Sequence, residues 1–567
     1  MKRPSRAPWC TDLPAFAERA GLSRRDLLKL IGASSLYAIG ARSLAGCSVD
    51  ETISPLPEVY DYVVVGAGSA GCPLVARLLS EPGVTVLLVE AGGSNDREDI
   101  RNFTQSWKLT QPDSGVDWGY KSEPQPELLD RAQSYSAGKV LGGSSSINGM
   151  VWVRGHKDDF DGWAAQGCTG WGYESVLPSF MTLETYLAGD PAYHGTMGPM
   201  GPTAEFTSNN ELSKGVLDAV MKLGYPLNQD YNGASPYGVG FTQLNVDVET
   251  GARQDAFTKF VKPLLSNLNL TIKTLARVKR ITFDANRKVD KVLIDVNGAE
   301  IAVRARREVV LCTGTVNTPQ LLMLSGIGSA AELAMLGIEH VADVPGVGQN
   351  LHDHLISVVV KKLRMPNAPS HITTMDVSIF TNGAPGAVNG PPRFEVQSYY
   401  MRYGWSDYPS EALALGCINL HPTSRGHVKL RSADPREAPI IEPNFLGTAE
   451  DWATQLEGYK MIRQIINTPE LLAWVEDAEH TPGPTVVTDD QLREALRKYS
   501  EADFHPVGTC KMGVDPSAVV DPELRVRGVT GLRVAGAAIM PTIVSGNTNA
   551  ASMMIGDRCA RLMLGKG

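Results

Sequence analysis

The 567-residue chain has no basic block, and its 53 Lys and Arg are outnumbered by 62 Asp and Glu, for a formal net charge of −9. That balance leaves no electrostatic footprint for a nucleic-acid backbone. Eight cysteines (Cys10, Cys47, Cys72, Cys168, Cys312, Cys417, Cys510 and Cys559) lie far apart, with no CxxC pair or other metal-ligand spacing. No structural zinc is expected, and no disulfide connectivity can be read from them. A long apolar run is also missing: the N-terminal stretch Leu30 to Ala41 is too short and too rich in Gly and Ser to span a bilayer stably. Hydrophobic content of 43% and aromatic content of 7% suit a soluble globular protein. The length exceeds one ordinary core, so two domains, or one domain with a large insert, are expected.

What is present starts with Tyr62-Val63-Val64-Val65 running into Gly66-x-Gly68-x-x-Gly71, after which Cys72 to Ser80 carries apolar residues three and four apart. This reads as strand, tight turn and helix. Gly66 lets the chain turn, Gly68 lets backbone approach a pyrophosphate, and Gly71 lets helix and strand pack closely; the helix N-terminus offers free N–H groups to the anion. A second apolar run, Val84 to Val89, ends in Glu90, about 20 residues past the glycines, where an acid suits the ribose hydroxyls of an adenine dinucleotide. Glu90 in place of a basic pocket argues against a 2′-phosphate, leaving FAD or NAD.

Near the N-terminus, Ser23-Arg24-Arg25-Asp26-Leu27-Leu28-Lys29 precedes the modest apolar run and resembles a twin-arginine export signal. That route carries folded proteins, as an enzyme that acquires its cofactor before export requires. Leu44-Ala45-Gly46-Cys47 resembles a lipoprotein box, although Arg42 just before it fits poorly. Residues 1–46 are therefore read as an export segment and 47–58 as a tether. The expected location is the periplasmic side of a bacterial envelope, with a lipid anchor at Cys47 as an option.

Further along, Gly138 to Gly149 gathers glycines, three hydroxyls and Asn148 in a small-residue stretch whose N–H groups can approach a flat ring or a phosphate. Together with Gly314 to Gly328 and Pro345 to His354, this stretch resembles the glucose-methanol-choline (GMC) oxidoreductases over nearly the whole chain after the export segment. The resemblance implies an α/β fold: a discontinuous Rossmann-like FAD-binding domain (59–163, 250–349 and 504–567) and a substrate-binding domain with an antiparallel sheet and helices (164–249 and 350–503). Strand patterns at 270–273, 278–281 and 308–311 agree with the discontinuity.

By the same resemblance, FAD contacts fall on Gly66, Gly68, Ser69, Ala70 and Gly71, on Glu90 and Ala91, on Trp118, on Val140, Gly143, Ser144 and Asn148, on Val278, and on Gly536, Ala537 and Asn547. The implied catalytic pair is His505 and Asn547, which places the chain in the His/Asn group that includes choline-type enzymes and hydroxymethylfurfural oxidase. His505 takes the proton of an alcohol as its carbon passes hydride to flavin N5, and Asn547 holds the substrate oxygen. Ile147 replaces a histidine that attaches flavin covalently in some choline-type members, so non-covalent FAD is expected; Gly536 replaces an acid. No metal is expected.

The favoured reading is a dehydrogenase that passes electrons from a small-molecule alcohol to a quinone, a cytochrome or another acceptor. An oxidase using dioxygen is the alternative, and a hydroxynitrile lyase with structural FAD is the alternative of another class. Phe504, Tyr399, Tyr400 and Trp405 would favour an aromatic or extended apolar alcohol if they line the cavity, and Glu395 keeps a cationic one open.

Overall fold

A computed structural model of the chain describes residues 58–102, 108–111, 113–364, 375–400 and 411–566. The export segment, the tether through residue 57 and Trp405 lie outside the described residues. The described chain opens with strand β1 (Val59–Val65), helix α1 (Gly71–Leu78) and strand β2 (Val86–Val89). Helix α2 (Lys157–Ala165) and strands β3 (Gly238–Phe241), β4 (Leu270–Lys273), β5 (Ala276–Phe283), β6 (Val289–Val296) and β7 (Ala299–Leu311) follow. Helix α3 (Gly314–Leu324) leads to β8 (Leu355–Lys362), β9 (Val377–Thr381), β10 (Phe394–Tyr399) and β11 (Ala412–Asn419). Helix α4 (Ala449–Ile466), β12 (Ser500–Ala502), β13 (Leu532–Val534) and helix α5 (Asn549–Met563) complete the framework.

Seven strands make the first sheet, in the order β4-β2-β1-β7-β6-β5 with β13 also paired to β7. Around β1 the pairs are parallel, whereas β5, β6 and β7 join as an antiparallel extension. A parallel sheet is covered on both faces, and β2 accordingly reads Val-Leu-Leu-Val with every residue buried. Burying each such side chain contributes about 1.5–3 kcal/mol, before the opposing entropy of ordering it. The turn after β1 forms as the glycine spacing requires. Gly66 has φ +100°, and a Cβ on Gly71 would stand 2.0 Å from the Gly66 carbonyl oxygen, so α1 can lie on β1 only with glycine there. Helix α5, buried from Ala550 to Ala560, crosses the start of α1 equally closely: a Cβ on Gly556 would meet the Ala70 oxygen at 2.0 Å.

The second sheet has six strands, all antiparallel, in the order β12-β8-β11-β10-β9-β3. Side chains alternate across it. On β10, Phe394 and Val396 join the apolar cluster beneath α4, which contributes Tyr459, Ile462 and Ile466. Glu395, Gln397 and Tyr399 therefore share the opposite face. The two sheets are the mixed α/β architecture expected from the sequence. The six cysteines among the described residues are buried and free, and no described helix is long and apolar enough to cross a membrane.

Candidate active site

Between the carboxyl ends of the parallel strands and the part of the second sheet that carries Gln397 and Tyr399 lies a cavity of about 1160 Å³. Ordinary small-molecule sites occupy roughly 300–1000 Å³, so this one has room for an extended ligand and a second small molecule. Gly66, Gly68, Ser69 and Ala70 of the first turn line it, with Glu90, Ala91, Trp118, Gly143, Ser144, Asn148 and Val278. Gly536, Ala537, Asn547 and His505 complete the expected set on its wall. Two expected contacts stand elsewhere. Gly71 serves the packing of α1 on β1. Val140 is fully buried in a small apolar cluster with Ile100, Leu109, Val116 and Ile147.

This wall suits a dinucleotide. No side chain caps α1, and its N-cap Ala70 borders the cavity; Cys72 N–H is bonded to the Gly68 carbonyl and Pro73 has no N–H, so the amides of Ala70 and Gly71 are the ones left for an anion. A Cβ on Gly143 would stand 2.7 Å from Gly68 Cα, so two glycine turns meet with no room for a side chain between them. Glu90 is buried, and its carboxylate accepts hydrogen bonds from the amides of Ala67 (3.0 Å) and Gly92 (2.8 Å). Burial raises its pKa to about 7 against the pull of those amides. Trp118 stacks on Tyr120 with ring centroids 5.7 Å apart, and Lys139 and Arg277 stand over its ring at 4.9 and 5.2 Å. Those cations give that end of the cavity a positive rim. Gly536 holds φ +116° with Ala70 Cβ 3.2 Å from where its own would be, so a side chain at this position would be strained.

His505 occupies the other end. Its loop is fixed by the bond from its own amide to Asp353 Oδ1 (2.7 Å), by the bridge of Val507 to His352, and by the Thr315 hydroxyl of α3 on the Pro506 carbonyl (2.7 Å). The preceding residue, Phe504, holds a left-handed φ of +59° and is 40% exposed on the cavity wall. His505 Nδ1 lies 3.2 Å from His354 Nδ1, and His505 Nε2 lies 3.0 Å from Asn547 Nδ2.

These contacts assign the protons. His354 Nε2 faces the Leu420 carbonyl oxygen at 3.1 Å, an acceptor, so that nitrogen carries hydrogen. Burial, and then the neighbouring His505, push the His354 pKa far down, so His354 is neutral and its Nδ1 is bare. The single hydrogen between the two rings therefore belongs to His505 Nδ1. Neutral His505 then presents a bare Nε2 toward Asn547, which fixes the orientation of that amide. Asp503 Oδ2 stands 3.2 Å from Nδ1 and acts on the ring chiefly through its charge. Burial lowers the His505 pKa, but the negative charges of Asp503, Asp353 and Glu395 outweigh it and the net shift is upward. Asn547 Oδ1 is buried without a partner.

Gln397, Tyr399, Met375, Glu501 and Asp503 join Phe504 on this part of the wall. Tyr400 does not: alternation along β10 turns it into the cluster beneath α4. Glu395 lies behind Gln397, accepting its amide at 2.6 Å, and its second oxygen has no partner. His354, Asp353 and Asp503 join the site without having been among the residues expected from the sequence. The His352-Asp353-His354 run and the acid two residues before His505 were visible, but nothing local tied them together. Those residues also form a group with metal-like spacing, His354, Asp503 and His505. The proton assignment above accounts for their geometry.

Family models described as GMC oxidoreductase match residues 60–356 and 422–556. Mitochondrial choline dehydrogenase of Homo sapiens is 35% identical, over 96% of this chain and 96% of its own length. Alcohol dehydrogenase [acceptor] of Pseudomonas putida is 36% identical, over 90% of this chain and 96% of its own. Among solved structures, pyridoxine 4-oxidase from Mesorbium loti superimposes with a TM-score of 0.83 at 32% identity, covering 88% of this chain and 98% of the other. With two family models spanning most of the described chain, and a cavity shaped for the dinucleotide that such enzymes carry, the chain belongs to the GMC oxidoreductases, FAD-dependent enzymes that act on CH–OH groups.

Proposed function

We propose that this enzyme oxidises a primary alcohol to a carbonyl compound with His505 as the base and Asn547 as the group that orients the substrate oxygen, and that it works as a dehydrogenase feeding an acceptor other than dioxygen. The observation that carries the first part is the bare Nε2 of His505, 3.0 Å from Asn547 Nδ2, on the cavity wall. A substrate hydroxyl that displaces the Asn547 N–H from Nε2 donates to Nε2 and accepts from the Asn547 amide, which holds the oxygen in line as its proton leaves. Nearby Asp503 favours the imidazolium that results. FAD supplies hydride acceptance when bound. Gly66, Gly68, Ser69, Ala70, Glu90, Trp118, Gly143, Ser144 and Val278 are the residues that would hold it. The division into an FAD domain and a substrate domain at the sequence-derived boundaries belongs to this reading. The name of the alcohol dehydrogenase [acceptor] relative agrees with this acceptor, whereas the equally similar oxygen-dependent choline dehydrogenases and the pyridoxine 4-oxidase structure favour the alternative, an oxidase that uses dioxygen.

His505→Ala should slow anaerobic flavin reduction by about 10²- to 10⁴-fold, the usual worth of a positioned acid or base. Bound FAD should remain, and near-normal reduction would remove His505 from the chemistry. The reduction rate should rise with pH as His505 loses its proton, with the inflection above the ordinary imidazole value. Asp503→Asn removes a charge that favours the imidazolium and should move that inflection to lower pH; a profile unmoved by the substitution contradicts the assigned role of Asp503.

Ile147 offers no nitrogen for a covalent link, so acid precipitation should release the flavin, and colour kept in the pellet would contradict this. Export to the periplasmic side, with an optional lipid anchor at Cys47, rests on the Arg24-Arg25 segment. Changing both arginines to Lys should hold the protein in the cytoplasm, and unchanged export would discard the twin-arginine reading.

A further inference from the structure

Asn547 sits on a loop that helix α2 clamps. Trp163 Nε1 of α2 donates to the Thr542 carbonyl oxygen at 3.0 Å. One turn earlier, Asp159 receives the Ser545 amide on Oδ2 at 2.7 Å and the Ser545 hydroxyl on Oδ1 at 2.9 Å. Asp159 is 7% exposed and stands 386 residues from Ser545 in sequence. It also closes the start of α2 by accepting the His156 amide at 2.8 Å. Oδ2 thus serves the helix start and the loop together, and Oδ1 serves the loop alone. His421 Nε2 approaches the Ser545 hydroxyl at 3.1 Å from another side. The backbone before α2 seals the contact: a Cβ on Gly546 (φ +130°) would meet Val153 Cγ1 at 2.4 Å, and one on Gly155 (φ +96°) would meet Val544 Cβ at 2.9 Å.

We infer that Asp159 is a positioning residue that, through Ser545, sets the place of the Asn547 amide against His505 Nε2. The inference rests on the part given to Asn547 in the proposed reaction. The two residues after Ser545 have little freedom to absorb a shift, because Gly546 is pressed against Val153. A displacement at Ser545 is therefore passed to Asn547. Asp159→Asn keeps the shape but turns the charged acceptor of the His156 and Ser545 amides into a neutral one and sets an NH₂ group against the Ser545 hydroxyl, which must then accept instead of donate. Ser545→Ala removes one of the two bonds and leaves the backbone bond in place.

The test compares the wild-type holoenzyme with D159N, S545A, N547A and the D159N/N547A double variant. Flavin reduction is followed anaerobically with benzyl alcohol, or with whichever primary alcohol of a panel reduces the wild-type flavin. D159N should slow reduction by about 10- to 100-fold, the scale of a misplacement near 1 Å, and S545A by less, with FAD content unchanged. In the N547A background D159N should add less than about twofold, because the two act through one group. A crystal structure of D159N should show the Asn547 amide out of contact with His505 Nε2. Wild-type rates in both D159N and S545A, or the same slowing by D159N with and without N547A, would overturn the inference. If N547A itself reduces at the wild-type rate, the role of Asn547 in the reaction falls, and this inference falls with it; slowing by N547A alone, with D159N and S545A unaffected, overturns the positioning and leaves the reaction standing.

Discussion

One hydrogen shared across 3.2 Å between the Nδ1 atoms of His354 and His505 sets the chemistry of this cavity. His354 precedes β8 of the second sheet, whereas His505 lies on the segment that returns toward β13 and the first sheet. The contact exists only where the two sheets are held in register, and its polarity is decided by a third party, the Leu420 carbonyl. With that hydrogen on Nδ1, His505 Nε2 is free to act as a base. Were the Leu420 carbonyl replaced by a donor, the order would reverse and the base would be lost. The fold thus fixes the protonation state of one nitrogen through three groups far apart in sequence.

Around that nitrogen the structure gathers three carboxyl groups, two of them in a dry place. Asp353 and Glu395 are buried, and burial raises each to about 7. Asp503 stands at the cavity wall beside Nδ1. Charges that favour imidazolium make His505 a stronger base than burial alone would leave it. Away from His505 the cavity wall carries the free amides at the start of α1 and the Arg277 side chain, an arrangement for an anion. One cavity thus has an anion-binding end and a proton-accepting end, as an enzyme joining a dinucleotide to an alcohol requires.

The glycine turn and its strand–helix–strand setting were legible because each glycine answers a local demand: a positive φ at Gly66, and a carbonyl 2.0 Å from a Cβ at Gly71. The strands at 270–273, 278–281 and 308–311 were legible from their alternation or buried runs, and lie within β4, β5 and β7. His505 and Asn547 were reached only through resemblance, since nothing within a few residues marks either. Their partners are distant: His354 is 151 residues from His505, and Asp159 is 386 from Ser545. Val140 shows the converse. Its stretch borders the cavity, yet its side chain points into an apolar cluster, which a list of neighbours cannot reveal. Tyr399 and Tyr400 were weighed together, but a strand turns adjacent residues to opposite faces, and only Tyr399 reaches the cavity.

The measurement closest to the central claim is anaerobic mixing of the purified, FAD-loaded enzyme with a panel of aromatic, aliphatic and cationic primary alcohols while the flavin absorbance is followed, and then the admission of air. The account predicts bleaching by at least one alcohol and slow return of colour in air, with fast return on adding an artificial acceptor. Rapid recolouring in air would contradict the dehydrogenase assignment, and cyanide release from a cyanohydrin without bleaching by any alcohol would contradict the redox reaction itself.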